Sequence, residues 1–167
     1  MDRNGEHLQK LGAVSVSSAC DLGFAGQTRH DNWDAVLNMQ GDSTAFALRE
    51  EVLLAGDIIH LAPGGIGTIE EILVVLAQNK VGMADKTIIL VGKEYWAGQI
   101  SQFLGSTSKG NIKPHHLKKV FVVDTPDEAK YILEKIDKDK KFLDQRIDKW
   151  DKATKAELTQ QELLTYK

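Results

Sequence analysis

Asp57-Ile58-Ile59-His60-Leu61-Ala62-Pro63-Gly64-Gly65-Ile66-Gly67-Thr68-Ile69-Glu70-Glu71 is the stretch whose reading decides the fold. Its first six residues are a nearly continuous apolar run stopped by Pro63, the pattern of a parallel strand buried on both faces. His60, inside that run, reads as a core histidine rather than a ligand. Three glycines in four positions follow. From Thr68 to about Asn79, Ile69, Ile72, Leu73 and Leu76 recur at helical spacing as one stripe, and Val74 and Val75 make the other face apolar too. A buried strand, a glycine turn and a helix form the first half of a βαβ unit.

The same order continues downstream. A strand is expected at 86–92, a helix at about 95–104, a loop holding Gly110 and Pro114, and a strand at 119–123. Thr125-Pro126-Asp127-Glu128 then opens a helix, with proline at the first helical position behind a threonine N-cap. Upstream, 13–19 alternates as a strand and 21–32 has loop composition leading to Trp33. From Ser43 to Gly56 the spacing of Phe46, Ala47, Val52, Leu53 and Leu54 predicts a helix over about 43–55. Strands alternating with helices imply an α/β fold with a mainly parallel sheet, whose ligands sit outside the carboxyl ends of the strands. Residues 1–136 make this domain. Residues 137–167 form a charge-dense helical tail with sparse apolar anchors such as Phe142, Leu143, Ile147 and Trp150, expected to be mostly solvated and to pack rather than catalyse.

Composition fits one folded domain of this class. The chain has 167 residues, 42% hydrophobic and 27% charged, with a net charge of −3. Residues 1–83 carry 5 basic against 11 acidic side chains and residues 84–167 carry 16 against 13, so no global positive field favours nucleic acid or an anionic membrane. One cysteine, Cys20, excludes an intramolecular disulfide framework and a zinc site built on cysteine pairs; it reads as a small hydrophobe. The charged N-terminus has no apolar core of a signal peptide, and no run approaches the ~20 apolar residues of a membrane span. A cytoplasmic protein is expected.

The glycine turn is the candidate site. Glycines let a ligand approach the backbone and allow positive φ, while the free N–H groups and dipole of the first helical turn favour an anion, most often phosphate. No Lys-Ser/Thr pair follows, so this is not a P-loop, and the G-x-G-x-x-G spacing is missing. The structural alternative is a tight turn in which glycine only relieves sterics. Thr68 and Glu71, three apart, fit a capping box; equally, a carboxylate beside a phosphate site would face the ribose of a bound nucleotide. Spacing leaves both open. His115-His116 lacks companions at metal-ligand spacing, so no metal is expected. Tyr95-Trp96 could stack on a base, although aromatic residues opening a helix are more often core.

Pro63-Gly64-Gly65-Ile66-Gly67-Thr68-Ile69-Glu70-Glu71 matches P-G-G-x-G-T-x-x-E and resembles the motif of the Lonely Guy family, often labelled "lysine decarboxylase", within a Rossmann-like nucleotide-binding group. Gly92-Lys93-Glu94-Tyr95-Trp96 and Val122-Val123-Asp124-Thr125-Pro126-Asp127-Glu128-Ala129 extend the similarity over roughly residues 30–136. The resemblance implies a Rossmann-like three-layer sandwich and hydrolysis of the N-glycosidic bond of a nucleoside 5′-monophosphate such as AMP, releasing base and ribose 5-phosphate. It implies Gly64, Gly65, Ile66, Gly67 and Thr68 at the phosphate, Glu71 as catalytic carboxylate and Arg49 as its basic partner, with no cofactor. Arg49 is followed by Glu50 where the family pattern has lysine. The family's N-terminal G-G-G-x-x-G-x-M element has no counterpart in the sequence, which leaves three readings: a truncated member, a degenerate one, or a pocket wall supplied by another chain. Lysine decarboxylation would need pyridoxal phosphate on a lysine, and no context supports one. The alternative function is a non-catalytic nucleotide-binding or nucleotide-cofactor-binding protein on the same scaffold. Apolar residues on more than one face of the helix after the motif predict a homodimer or higher homo-oligomer, as the resemblance also implies.

Overall fold

The computed structural model describes residues 16–21, 35–40, 43–105 and 114–152, and the chain divides into two compact units, Met1–Ala55 and Gly56–Lys167. In the first unit, β1 (Val16–Asp21) pairs in parallel with β2 (Ala35–Gln40), in a register that sets Val16 opposite Ala35 and Cys20 opposite Met39. Helix α1 (Ser43–Ala55) packs on both strands. The sequence predicts α1 at these bounds and a strand at 13–19; the observed strand runs to Asp21, and residues 13–15 lie outside the described residues. Strand β2 is not predicted. Ala-Val-Leu-Asn-Met-Gln has one β-branched residue and no clean alternation, so nothing local marks it as a strand.

The second unit is a three-stranded parallel sheet in the order β3-β4-β5: Ile58–Leu61, Thr87–Val91 and Val120–Val123. Ile59 sits opposite Ile88, and Ile89 opposite Phe121. The strands are rich in Val, Ile, Leu and Phe because helices cover the sheet; Ile88, Ile89, Leu90, Phe121, Val122 and Val123 are all buried. His60 departs from its expected place in the core. It is exposed, because β3 is an outer strand of this sheet and every second side chain leaves the packed face.

Helix α2 spans Ile66–Val81, two residues earlier and two later than the sequence predicts. It buries Ile72 and Val75, whereas Leu73, expected in the buried stripe, is 45% exposed. With apolar residues all round, periodicity alone could not choose the inner arc. The helix ends in a Schellman cap on left-handed Gly82 (φ 76°), with the N–H of Gly82 donating to Asn79 O and that of Met83 to Gln78 O. Asn79 stays helical because its side chain is used elsewhere: Nδ2 donates to Lys86 O and Oδ1 accepts from Lys86 N–H, both at 2.8 Å. This clamp docks the end of α2 beside the start of β4.

Helices α3 (Lys93–Gly105), α4 (Pro126–Lys138) and α5 (Lys140–Lys152) follow, with a short 3-10 turn at Pro114–Leu117. Helix α5 packs on the core through Phe142 and Leu143, with the Phe142 ring stacked 6.0 Å from that of Phe121. Arg146 reaches inward: Nε donates to Lys118 O at 3.0 Å, Nη2 to Val120 O at 2.6 Å, and the guanidinium lies 4.3 Å over the Phe121 ring. Burial pulls its pKa down to about 10. The charged tail thus packs through Phe142, Leu143 and Arg146; residues 153–167 lie outside the described residues. Among the described residues, no helix is long and apolar enough to cross a membrane.

Candidate functional site

Parallel pairing puts the carboxyl ends of β3, β4 and β5 at one edge of the sheet, so three loops meet there: Ala62–Gly65, Gly92, and Asp124–Thr125. This is where an open α/β sheet takes its ligands. The edge is held by specific contacts. Gly92 adopts φ 103° and donates its N–H to Val123 O at 2.6 Å. A Cβ there would stand 3.0 Å from Pro63 Cγ, so Gly92 answers both to a positive φ and to a close approach.

The glycines of the turn serve it in ways that their spacing alone does not separate. None of Gly64, Gly65 and Gly67 has a positive φ; among the described residues only Gly82 and Gly92 do. Gly64 is needed for space: a Cβ on it would lie 2.9 Å from Thr68 Cβ and closer still to Oγ1. Gly65 is not, since a Cβ on it would meet nothing within 4 Å.

The helix start differs as well. Gly65 is the N-cap of α2, in extended conformation and with no side-chain cap, and its carbonyl accepts from the N–H groups of Thr68 (3.1 Å) and Ile69 (3.3 Å). Thr68 therefore lies inside the first turn, and Thr68 and Glu71 do not form the capping box their spacing allows. A glycine pair can turn the chain into the helix without a hydroxyl cap, which moves the start two residues upstream of Thr68. The N–H groups of Ile66 and Gly67, the first two of the helix, have no acceptor within it by helix geometry. Ile66 itself is 90% exposed. Glu71 stands one turn along, three residues from Thr68 and half-buried, on a helical arc adjoining that of Thr68.

Tyr95 carries a signal that local reading misses. Its hydroxyl donates to Gly64 O at 2.7 Å, tying the glycine turn to the first turn of α3. Its ring meets that of Trp96 edge-on at 4.9 Å, and Trp96 is fully buried with Nε1 donating to Val91 O. The dipeptide is half core and half clamp. Beside it, Lys93 Nζ lies 3.2 Å from Glu128 Oε1 and 3.6 Å from Asp124 Oδ2, while its backbone N–H donates to Asp124 Oδ1 at 2.7 Å.

The motif residues Gly64 to Thr68 and Glu71 are thus close along one turn-and-helix segment. Arg49 lies midway along α1, half-buried, in the first compact unit. His115 and His116 pack edge-on at 4.4 Å, and among the described residues no group of three or more His, Cys, Asp or Glu could hold a metal ion.

A parallel sheet covered by helices, with a glycine turn at its carboxyl edge, is a Rossmann-like α/β arrangement. The chain belongs to the Lonely Guy family: the family model described as "Possible lysine decarboxylase" matches residues 23–133. No curated protein matches the chain.

Proposed function

We propose that the protein hydrolyses the N-glycosidic bond of a nucleoside 5′-monophosphate such as AMP. The phosphate would sit on the turn Gly64-Gly65-Ile66-Gly67-Thr68, with Glu71 at the anomeric carbon. The observation that carries this reading is the N-terminus of α2, where Gly65 caps the helix with no side chain and with open space at its Cβ position. Two unsatisfied N–H groups and a helix dipole favour an anion there. In the reaction the water oxygen bonds to C1′ as the C1′–N bond breaks, the bonding pair leaves with the base, and the proton lost by water goes to the base. Positive charge builds at C1′, so a fixed carboxylate lowers the barrier while the phosphate anchor orients the sugar. Arg49 is the basic partner in this reading, and no cofactor is required. Decarboxylation is the weaker reading of the family's description: Lys93, the lysine at this edge, is engaged by the carboxylates of Asp124 and Glu128.

A homo-oligomer belongs to the same proposal. Ile66, Leu73, Val81 and Met83 are exposed on and just beyond α2, an apolar surface suited to a second copy. The second reading, nucleotide binding without catalysis, is favoured by Glu50 standing after Arg49 where the family pattern has lysine, and by the want of a counterpart to the family's G-G-G-x-x-G-x-M element in the sequence.

Glu71→Gln separates the two readings. Release of adenine and ribose 5-phosphate from AMP should fall at least about a hundredfold, since removing a charge aimed at the transition state costs that much. AMP affinity should stay within a few-fold. The loss of about 1 kcal/mol expected from a broken capping box should not appear, because Gly65 and not Thr68 is the N-cap of α2. Wild-type protein that binds AMP and releases neither product overturns hydrolysis in favour of binding.

A further inference from the structure

We infer that Tyr95 is a positioning residue that fixes the orientation of the Gly64–Gly65 peptide, so that the N–H of Gly65 rather than the carbonyl of Gly64 is offered to an anion at the start of α2. This deepens the proposed function and rests on its anion site. A peptide unit is planar and trans, so its C=O and N–H point in opposite directions. The Tyr95 hydroxyl holds Gly64 O at 2.7 Å, which turns the Gly65 N–H away from Tyr95.

The need for such a clamp follows from the residues on either side. A peptide between two glycines can flip with little steric resistance, because neither carries a Cβ. A flip would aim a carbonyl dipole where an amide had been, repelling an anion instead of attracting it. Gly65 Cβ space is open, so packing around that residue does not itself prevent the flip. On the Gly64 side the turn is hemmed in by Thr68, and Pro63 is close to Gly92. Tyr95 is rigid enough to act: its ring packs edge-on against the buried Trp96 in the first turn of α3.

Tyr95→Phe removes the hydroxyl and keeps the ring. Amide NMR of the ligand-free protein should show the Gly65 resonance displaced or doubled, and titration with inorganic phosphate and with AMP should show affinity about three- to tenfold weaker, the worth of one hydrogen bond. The melting temperature should hardly move, because the Trp96 contact remains. An unchanged Gly65 amide overturns the inference, as does a displaced one with phosphate affinity unaltered. If the wild-type protein binds neither phosphate nor AMP, the anion-site reading fails on that titration, while the Gly65 amide still decides whether Tyr95 orients the peptide.

Discussion

Two helices leave the same edge of the same three-stranded sheet, α2 after β3 and α4 after β5, and they begin in opposite ways. At α4 the start is capped by the chain's own side chains. Thr125 Oγ1 accepts from Glu128 N–H at 3.2 Å; Glu128 Oε2 in return accepts from the N–H groups of Asp124 (2.6 Å) and Thr125 (3.4 Å); Pro126 has no N–H to satisfy. Lys93 then neutralises Glu128. At α2 the N-cap is Gly65, no side chain caps the turn, and the Tyr95 hydroxyl that reaches it serves a carbonyl. One junction is capped by its own side chains and the other has no side-chain cap. The contrast sets a helix start capped for folding beside the one that the proposed function uses for an anion.

Substitutions at the two junctions should split stability from binding. The largest loss of stability is expected for Gly64→Ala. The new Cβ would press on Thr68, a β-branched side chain held stiffly in the first turn, at a cost of about 1–3 kcal/mol. AMP affinity should fall with it, since the turn must move. Chemical denaturation together with AMP titration checks both, and unchanged stability would show that Thr68 yields freely. Next comes Thr125→Ala at the sealed junction. It should cost about 1 kcal/mol by loss of the cap and leave AMP affinity intact; a loss of binding in that variant would mean that the β5 junction also touches ligand.

The two junctions were not equally legible in the sequence. Thr125-Pro126-Asp127-Glu128 announces its helix within four residues, because hydroxyl, proline and carboxylate each have one local role there. The glycine turn was legible as a turn, and its motif placed the chain in its family. The start of α2 was misread at Thr68, since capping rules look for a side chain and Gly65 has none. Tyr95 is 31 residues from Gly64 and Arg146 is 28 from Lys118. These contacts exist because parallel pairing and helix docking bring distant residues together, so no spacing rule could find them. His60 and Leu73 show the same limit in burial: an apolar run identifies an element, while the packing of each face determines which side chains are exposed.

Gly65→Asp turns the open junction into a likeness of the sealed one. Gly65 has φ −84° and ψ −159°, extended backbone that any residue adopts, and the space at its Cβ position is empty. The aspartate can therefore accept from the first-turn N–H groups and interact favourably with the helix dipole, adding about 0.5–1 kcal/mol of stability and raising the melting temperature by about 2–4 °C at most. The same carboxylate would occupy the amides that a phosphate needs and repel it by charge, so AMP affinity should fall more than tenfold. A purely structural turn predicts the gain in stability with no effect on AMP. Protein that melts higher and binds AMP as before would place the nucleotide elsewhere, whereas higher stability with lost binding would mean that the missing cap at Gly65 is what leaves the site open to a ligand.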